Sequence, residues 1–146
     1  LNYNTTSDLG TGGGFPGIIT AIMLKNMKKK NKINLYEKSY HKAVFLNEVS
    51  RELNLNTEIF QTDIFKIKNI KTGSIMARAF KPLSVILDLV NNNFRDYKNI
   101  IVFMGKSGEK TLEENLKKWD LKFDKKNSIT NKDSFLLNIT NIKKKY

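Results

Sequence analysis

The sequence runs to 146 residues, enough for one ordinary domain with a real core, and a hydrophobic content of 40% argues against disorder. It holds no cysteine and a single histidine, which excludes a disulfide scaffold and thiolate chemistry and speaks against a dedicated transition-metal site. A balance of 26 Lys+Arg against 14 Asp+Glu leaves a net charge of +12, which suits a partner with a phosphate backbone. A composition crowded with Asn, Lys and Ile would give the same excess without selection for binding, and the runs at Lys28 to Lys30 and Lys143 to Lys145 also read as solvated ends. There is no apolar run of membrane-spanning length and no signal-peptide pattern, so the expected location is the cytoplasm with no membrane partner. The chain begins at Leu1 rather than Met, so its true beginning is expected to be absent.

No repeat, linker or low-complexity block interrupts the chain, which is expected to form one domain over 1–146. A first strand must precede the glycine-rich stretch at 8–17, yet Asn4, Thr5, Thr6 and Ser7 are polar where a central parallel strand should be apolar. From Phe15 to about Lys29, Ile18, Ile19, Ile22, Met23 and Met27 fall at helical spacing, and Ile33 to Glu37 reads as a strand ending on an acid. His41 to Leu53 repeats the helical period through Phe45, Leu46, Val49 and Leu53, and Thr57 to Gln61 is the next strand. Ser74 to Ala79 makes a fourth strand, and Pro82 opens a helix with Leu83, Ile86, Leu87 and Val90 on one face. Ile100 to Met104 is continuously apolar, as a strand buried on both faces should be. Glu109 to Trp119 reads as a charged amphipathic helix with Trp119 in the core, and Leu121 to Lys125 and Ser134 to Thr140 fit an antiparallel end of the sheet. This alternation predicts an α/β, Rossmann-like fold: a mostly parallel sheet, helices on both faces, and ligands at the carboxyl ends of the strands near the switch point.

The glycine-rich stretch Asp8-Leu-Gly-Thr-Gly-Gly-Gly-Phe-Pro-Gly17 lies at that point. Glycine lets a loop take backbone conformations closed to other residues and bring N–H groups against a ligand, with the positive end of the next helix behind them. The dinucleotide pattern G-x-G-x-x-G wants a small residue where Phe15 stands, whereas D-x-G-x-G-x-G, through Gly10, Gly12 and Gly14, is matched in full. That spacing resembles the S-adenosylmethionine (SAM) loop of class I methyltransferases, and a nicotinamide-dependent oxidoreductase is disfavoured. Glu37, at the end of the second strand, fits either the acid that hydrogen-bonds the ribose hydroxyls of an adenosine cofactor or a surface acid. Asp63 fits either an approach to the adenine or a helix N-cap.

Five segments in order resemble the guanine-N7 methyltransferases of small-subunit ribosomal RNA, the glucose-inhibited division protein B family. They are the loop with Phe15-Pro16-Gly17; Glu37-Lys38-Ser39; Lys42 to Leu46 with Glu48-Val49; Ala77-Arg78-Ala79-Phe80 with Pro82-Leu83; and Met104-Gly105-Lys106. The resemblance implies SAM as cofactor and methyl transfer to N7 of a guanine in 16S ribosomal RNA, with the RNA or the small subunit as partner. By motif it maps cofactor contacts to Gly10, Phe15, Arg78 and the pair Ile64 and Phe65, where the family has Ala-Glu. It also implies that the helical segment preceding the glycine loop in family members is missing here.

Guanine N7 already carries a lone pair, so this chemistry needs no base, no metal and no catalytic triad; positioning of the reactants does the work. Arg78 is expected to meet the cofactor, an RNA phosphate or the guanine O6 edge, and Lys106 an RNA phosphate. His41 is read as a surface residue, Phe15 as a wall of the cofactor pocket, and the protein as a monomer. Two other readings stay open: a class I methyltransferase with another substrate, and a degenerate, non-catalytic RNA-binding remnant.

Overall fold

A computed structural model describes residues 4–146. Strand β1 (Thr5–Leu9) leads through the glycine loop into α1 (Gly17–Asn26), followed by β2 (Lys32–Tyr36), α2 (Tyr40–Glu52) and β3 (Thr57–Phe60). A 3-10 turn at Ile64–Lys66 precedes β4 (Ile70–Lys71), β5 (Ser74–Arg78), α3 (Leu83–Asn93), β6 (Phe94–Asp96) and β7 (Asn99–Met104). Helix α4 (Gly108–Leu116) and the long strands β8 (Trp119–Asn127) and β9 (Phe135–Lys144) complete the chain.

Seven strands form one sheet in the order β3-β2-β1-β5-β7-β9-β8. The first five of these pair in parallel, and β9 runs antiparallel to both β7 and β8. The expected α/β architecture with an antiparallel C-terminal end is therefore present. The chain moves outward from β1 to β3 and then returns to lay β5 on the other side of β1, so the crevice between β1 and β5 is the switch point. Consecutive strand residues face opposite sides of the sheet, and the apolar core divides accordingly. Ile33 and Leu35 pack with Ile18, Ala21 and Leu46 from α1 and α2, while Tyr36, Ile75 and Ile100 join a larger cluster with Leu87 and Val90 of α3, Leu112 of α4 and Trp119.

The polar first strand is buried by a hydroxyl network that sequence periodicity does not reveal. Ser7 Oγ donates to Thr72 Oγ1 at 3.0 Å, Thr72 Oγ1 donates to the Ser74 carbonyl at 3.2 Å, and Ser7 and Thr72 are both fully buried. Burying hydroxyls costs little once they are paired with one another and with the backbone.

Three other expectations need correction. β7 is fully covered on one face only: Ile100, Val102 and Met104 are buried, whereas on the other face Ile101 is half-buried and Phe103 is exposed, because the carboxyl end of that face opens onto a second cleft. Trp119 is in the core, as expected, but it opens β8 instead of ending the helix, which stops at Leu116. Along α1 only the Ile18 and Ala21 side is buried; Phe15, Ile19, Met23 and Met27, spaced four apart, remain exposed. A parallel pair of short strands, β4 and β6, adds to the expected elements. Among the described residues no helix is long and apolar enough to cross a membrane.

Candidate active site

The glycine loop leaves the carboxyl end of β1 and is tied down by backbone and carboxylate bonds. Thr11 N donates to the Tyr36 carbonyl at 3.1 Å, and Gly14 N donates to the Thr11 carbonyl at 2.9 Å. Gly10, Gly12 and Gly14 all have positive φ. The freedom is required most clearly at Gly10, where φ is +62° and a Cβ would stand 2.1 Å from Cδ1 of Phe80.

Asp8 anchors the loop from below. Its Oδ2 accepts from Gly17 N at 2.8 Å, holding the start of α1 against β1, and a Cβ on Gly17 would collide with that same oxygen. Oδ1 of Asp8 and Oγ1 of Thr11 are buried without a hydrogen-bond partner. Burial pushes the Asp8 carboxyl up to about 6, with the nearby Thr11 hydroxyl and the Gly17 N–H opposing the shift. The sequence singles out Asp8 as the acid of the glycine motif and assigns it no role; its burial becomes apparent only with β1 in the middle of the sheet.

Glu37 stands just beyond β2, and its two carboxylate oxygens accept from Gly12 N at 2.8 Å and from Ser39 N at 2.9 Å. Of the two readings left open by the sequence, a surface acid is excluded, since Glu37 is buried and lines the cleft above the loop. That cleft holds about 440 Å³ and is lined by Gly10, Gly12, Glu37, Ile64, Phe65 and Phe80 among others. Asp63 lines it too while acting as a cap, its Oδ1 accepting from Phe65 N at 3.1 Å.

The Ile64-Phe65 turn is held by a residue that sequence reasoning missed. Asn93, buried at the end of α3, donates from Nδ2 to the carbonyls of Phe65 at 3.1 Å and Ile67 at 2.6 Å. The run Asn91-Asn92-Asn93 at a helix end is the only sequence signal of it. Phe80 stacks against Phe65 with centroids 6.1 Å apart, and the preceding Ala79 takes a left-handed φ of 47°, a conformation strained for a residue with a Cβ. That turn lays Phe80 onto Gly10 while Arg78 stays at the end of β5.

Arg78 accordingly lines a second, larger cleft of about 840 Å³, and Ala79 borders both. The structure thus brings Gly10, Gly12, Glu37, Ile64 and Phe65 together and sets Arg78 next door. Phe15, expected as a pocket wall, is 55% exposed and does not line the cleft, because the Phe15-Pro16 turn is spent in starting α1. Gly14 lies behind the loop, where a Cβ would meet Ile18 and Leu46. Lys106 is exposed beyond β7 and borders neither cleft. His41 is exposed, its ring edge-on to Tyr40. Among the described residues no group of three His, Cys, Asp or Glu is placed to hold a metal ion.

The first cleft fits an adenosyl ligand: the Glu37 carboxylate and glycine backbone beside the apolar side chains of Ile64, Phe65 and Phe80, with open space at Gly12 and Gly13. This fold, with a glycine loop at the switch point, is that of the class I SAM-dependent methyltransferases. Solved structures of the same fold include a SAM-dependent methyltransferase from Aquifex aeolicus, at TM-score 0.67 and 14% identity over 95% of this chain and 83% of that one. Another is the M. capricolum protein TrmK, in complex with its cofactor product S-adenosylhomocysteine, at TM-score 0.63 and 14% identity over 95% of this chain and 62% of that one.

The family model described as rRNA small subunit methyltransferase G matches residues 2–139. A protein of that name from Pelagibacter ubique is 62% identical over 99% of this chain and 68% of its own length; one from Rhizobium rhizogenes is 33% identical over 91% and 66%. The chain belongs to the rRNA small subunit methyltransferase G family, a family of SAM-dependent methyltransferases. It spans about two thirds of the length of these relatives.

Proposed function

We propose that the protein transfers a methyl group from SAM to N7 of a guanine in 16S ribosomal RNA, acting as a single-domain monomer in the cytoplasm. The observation that carries this reading is the adjacency of the two clefts, which meet at Ala79 on the carboxyl edge of the sheet. SAM, when bound, supplies an electrophilic methyl group.

Gly10 and Gly12 present backbone to the cofactor, Glu37 takes the ribose hydroxyls with the lone pairs its two N–H partners leave free, and Ile64 and Phe65 flank the adenine. Gly14 shapes the loop from behind. Phe80, packed on Gly10, closes the cleft toward β5. Arg78, which lines the second cleft, meets the guanine or its phosphate there, and Lys106, exposed beyond β7, neutralises phosphate further out. No side chain is asked to remove a proton, since N7 has none; orientation of two reactants is worth on the order of 7 kcal/mol or more.

The test is transfer of labelled methyl from SAM to small-subunit ribosomal RNA from cells lacking the modification, followed by borohydride and aniline cleavage, which cuts at N7-methylguanine. Cleavage at one guanine is expected. Label without cleavage would mean another atom, and SAM binding without label another substrate. RNA affinity should fall steeply with salt while SAM affinity hardly changes; equal slopes would count against an RNA substrate.

A further inference from the structure

The second cleft has a feature that the cofactor chemistry does not use. Its floor is a row of registered partners across three strands, Arg78 on β5, Phe103 on β7 and Leu136 on β9, and the row ends at Lys126 on β8. Its outer wall is the β8–β9 connection, where Ser128, Ile129, Thr130 and Asn131 all line the cleft. This connection is pinned by its own hydrogen bonds: Ser128 N donates to the Ser134 carbonyl at 2.9 Å, and Asp133 N donates to Asn131 Oδ1 at 2.9 Å. The strands beneath it are paired up to Asn127 and Phe135. On this polar, self-braced tip stands Ile129, 98% exposed at the rim of the cleft beside the cofactor site.

A guanine in folded RNA is stacked, and the deep, narrow groove of an RNA helix keeps side chains from its N7 edge. An enzyme that acts on such a base must take it out of the stack, and proteins that unstack bases insert an apolar side chain into the step. We propose that the β8–β9 hairpin is this wedge: Ile129 enters the place the target guanine vacates, and the guanine is received in the cleft over Phe103. Asn131 has its Oδ1 occupied by Asp133 N, so it offers Nδ2 donors, the complement of the O6 acceptor of guanine. Lys126 and Arg78, at the two ends of the row, supply the positive charge for the phosphates on either side. The inference rests on the methyl-transfer reading, since only chemistry on a base requires one to leave its stack.

The experiment compares the wild-type chain, Ile129→Ser and Ile129→Leu on the same guanine in two settings: the assembled small subunit, and a short unstructured oligonucleotide spanning the site. A folded RNA carrying 2-aminopurine beside that guanine, with S-adenosylhomocysteine present, reports unstacking by fluorescence. Ile129→Ser is expected to lose about tenfold or more in kcat/KM on the subunit, to stay within about twofold on the oligonucleotide, and to abolish the fluorescence rise. Ile129→Leu should keep all three. Equal losses on both substrates, or no loss on either, overturn the wedge. Absence of N7-methylguanine with the wild-type chain on both substrates overturns the methyl-transfer reading itself, and the wedge with it.

Discussion

The two clefts meet at one residue and are built on different principles. The proposed cofactor cleft is made largely of backbone: a loop whose Gly12 N–H is held by Glu37, a helix start fixed by Asp8, and a turn hung from Asn93. The neighbouring cleft is made of side chains: its floor is a row on the sheet from Arg78 through Phe103, and its wall is an outlying hairpin whose tip bonds to itself rather than to the sheet. Every SAM molecule is the same, so a fixed cradle serves; a folded RNA differs in shape along its length, and a projecting tip can engage it without disturbing the cradle. Changes in the first cleft should therefore reach the fold and the cofactor together, and changes in the second should touch RNA alone.

The sharpest break in that contrast is Gly10→Ala. The methyl group meets both a φ of +62° and the ring of Phe80, so the loop must shift. With strain and overpacking worth about 3 kcal/mol together, SAM affinity should drop roughly 100-fold by calorimetry while RNA affinity is kept.

Asp8→Asn comes next. An acid at about 6 in the folded chain, against 3.8 for an aspartate open to water, holds its proton more firmly when folded. Its protonated form therefore favours the fold below about pH 4, and that contribution is lost as pH rises through 6. Asparagine keeps an acceptor for Gly17 N and does not titrate, so its stability relative to wild type should grow by about 2 kcal/mol between pH 4 and pH 7 in urea unfolding. An unchanged difference would mean that Asp8 is neutralised by another group.

On the other side, Arg78→Met should cost about tenfold in RNA affinity at low salt and flatten the salt slope, with SAM binding unaffected. The smallest effect sharpens the distinction at the hairpin base: Glu109→Gln removes the exposed pair with Lys125 and should move stability by less than about 0.5 kcal/mol.

The sequence makes the cofactor side far more legible than the substrate side. Helix and strand periods place the elements to within a few residues, and the glycine spacing locates the loop, because backbone cradles demand particular residue types at particular offsets. Glu37 is legible as an acid at a strand end, but its service to the loop depends on a contact with Gly12, 25 residues away in sequence. The roles of Phe80 and Asn93 stay hidden because they arise from which distant segments these residues meet. The β8–β9 tip escapes for the opposite reason: Ser, Thr and Asn in a turn look like any surface loop, and Ile129 is conspicuous only once it stands 98% exposed at a rim. The helical period of α1 misleads about burial, since Ile19, Met23 and Met27 keep the spacing of a core face and stay outside it.

The hydroxyl network under β1 has a consequence for how the sheet chooses its alignment. Side chains on a strand alternate between faces, so a shift of β1 by one residue would pull Ser7 away from Thr72 and turn Asp8 away from the start of α1. An all-apolar β1 would tolerate such a slip among equivalent hydrophobic partners. A polar one has a single alignment that pairs Ser7 with Thr72 and Asp8 with the start of α1, and that same alignment delivers Gly10 to the switch point.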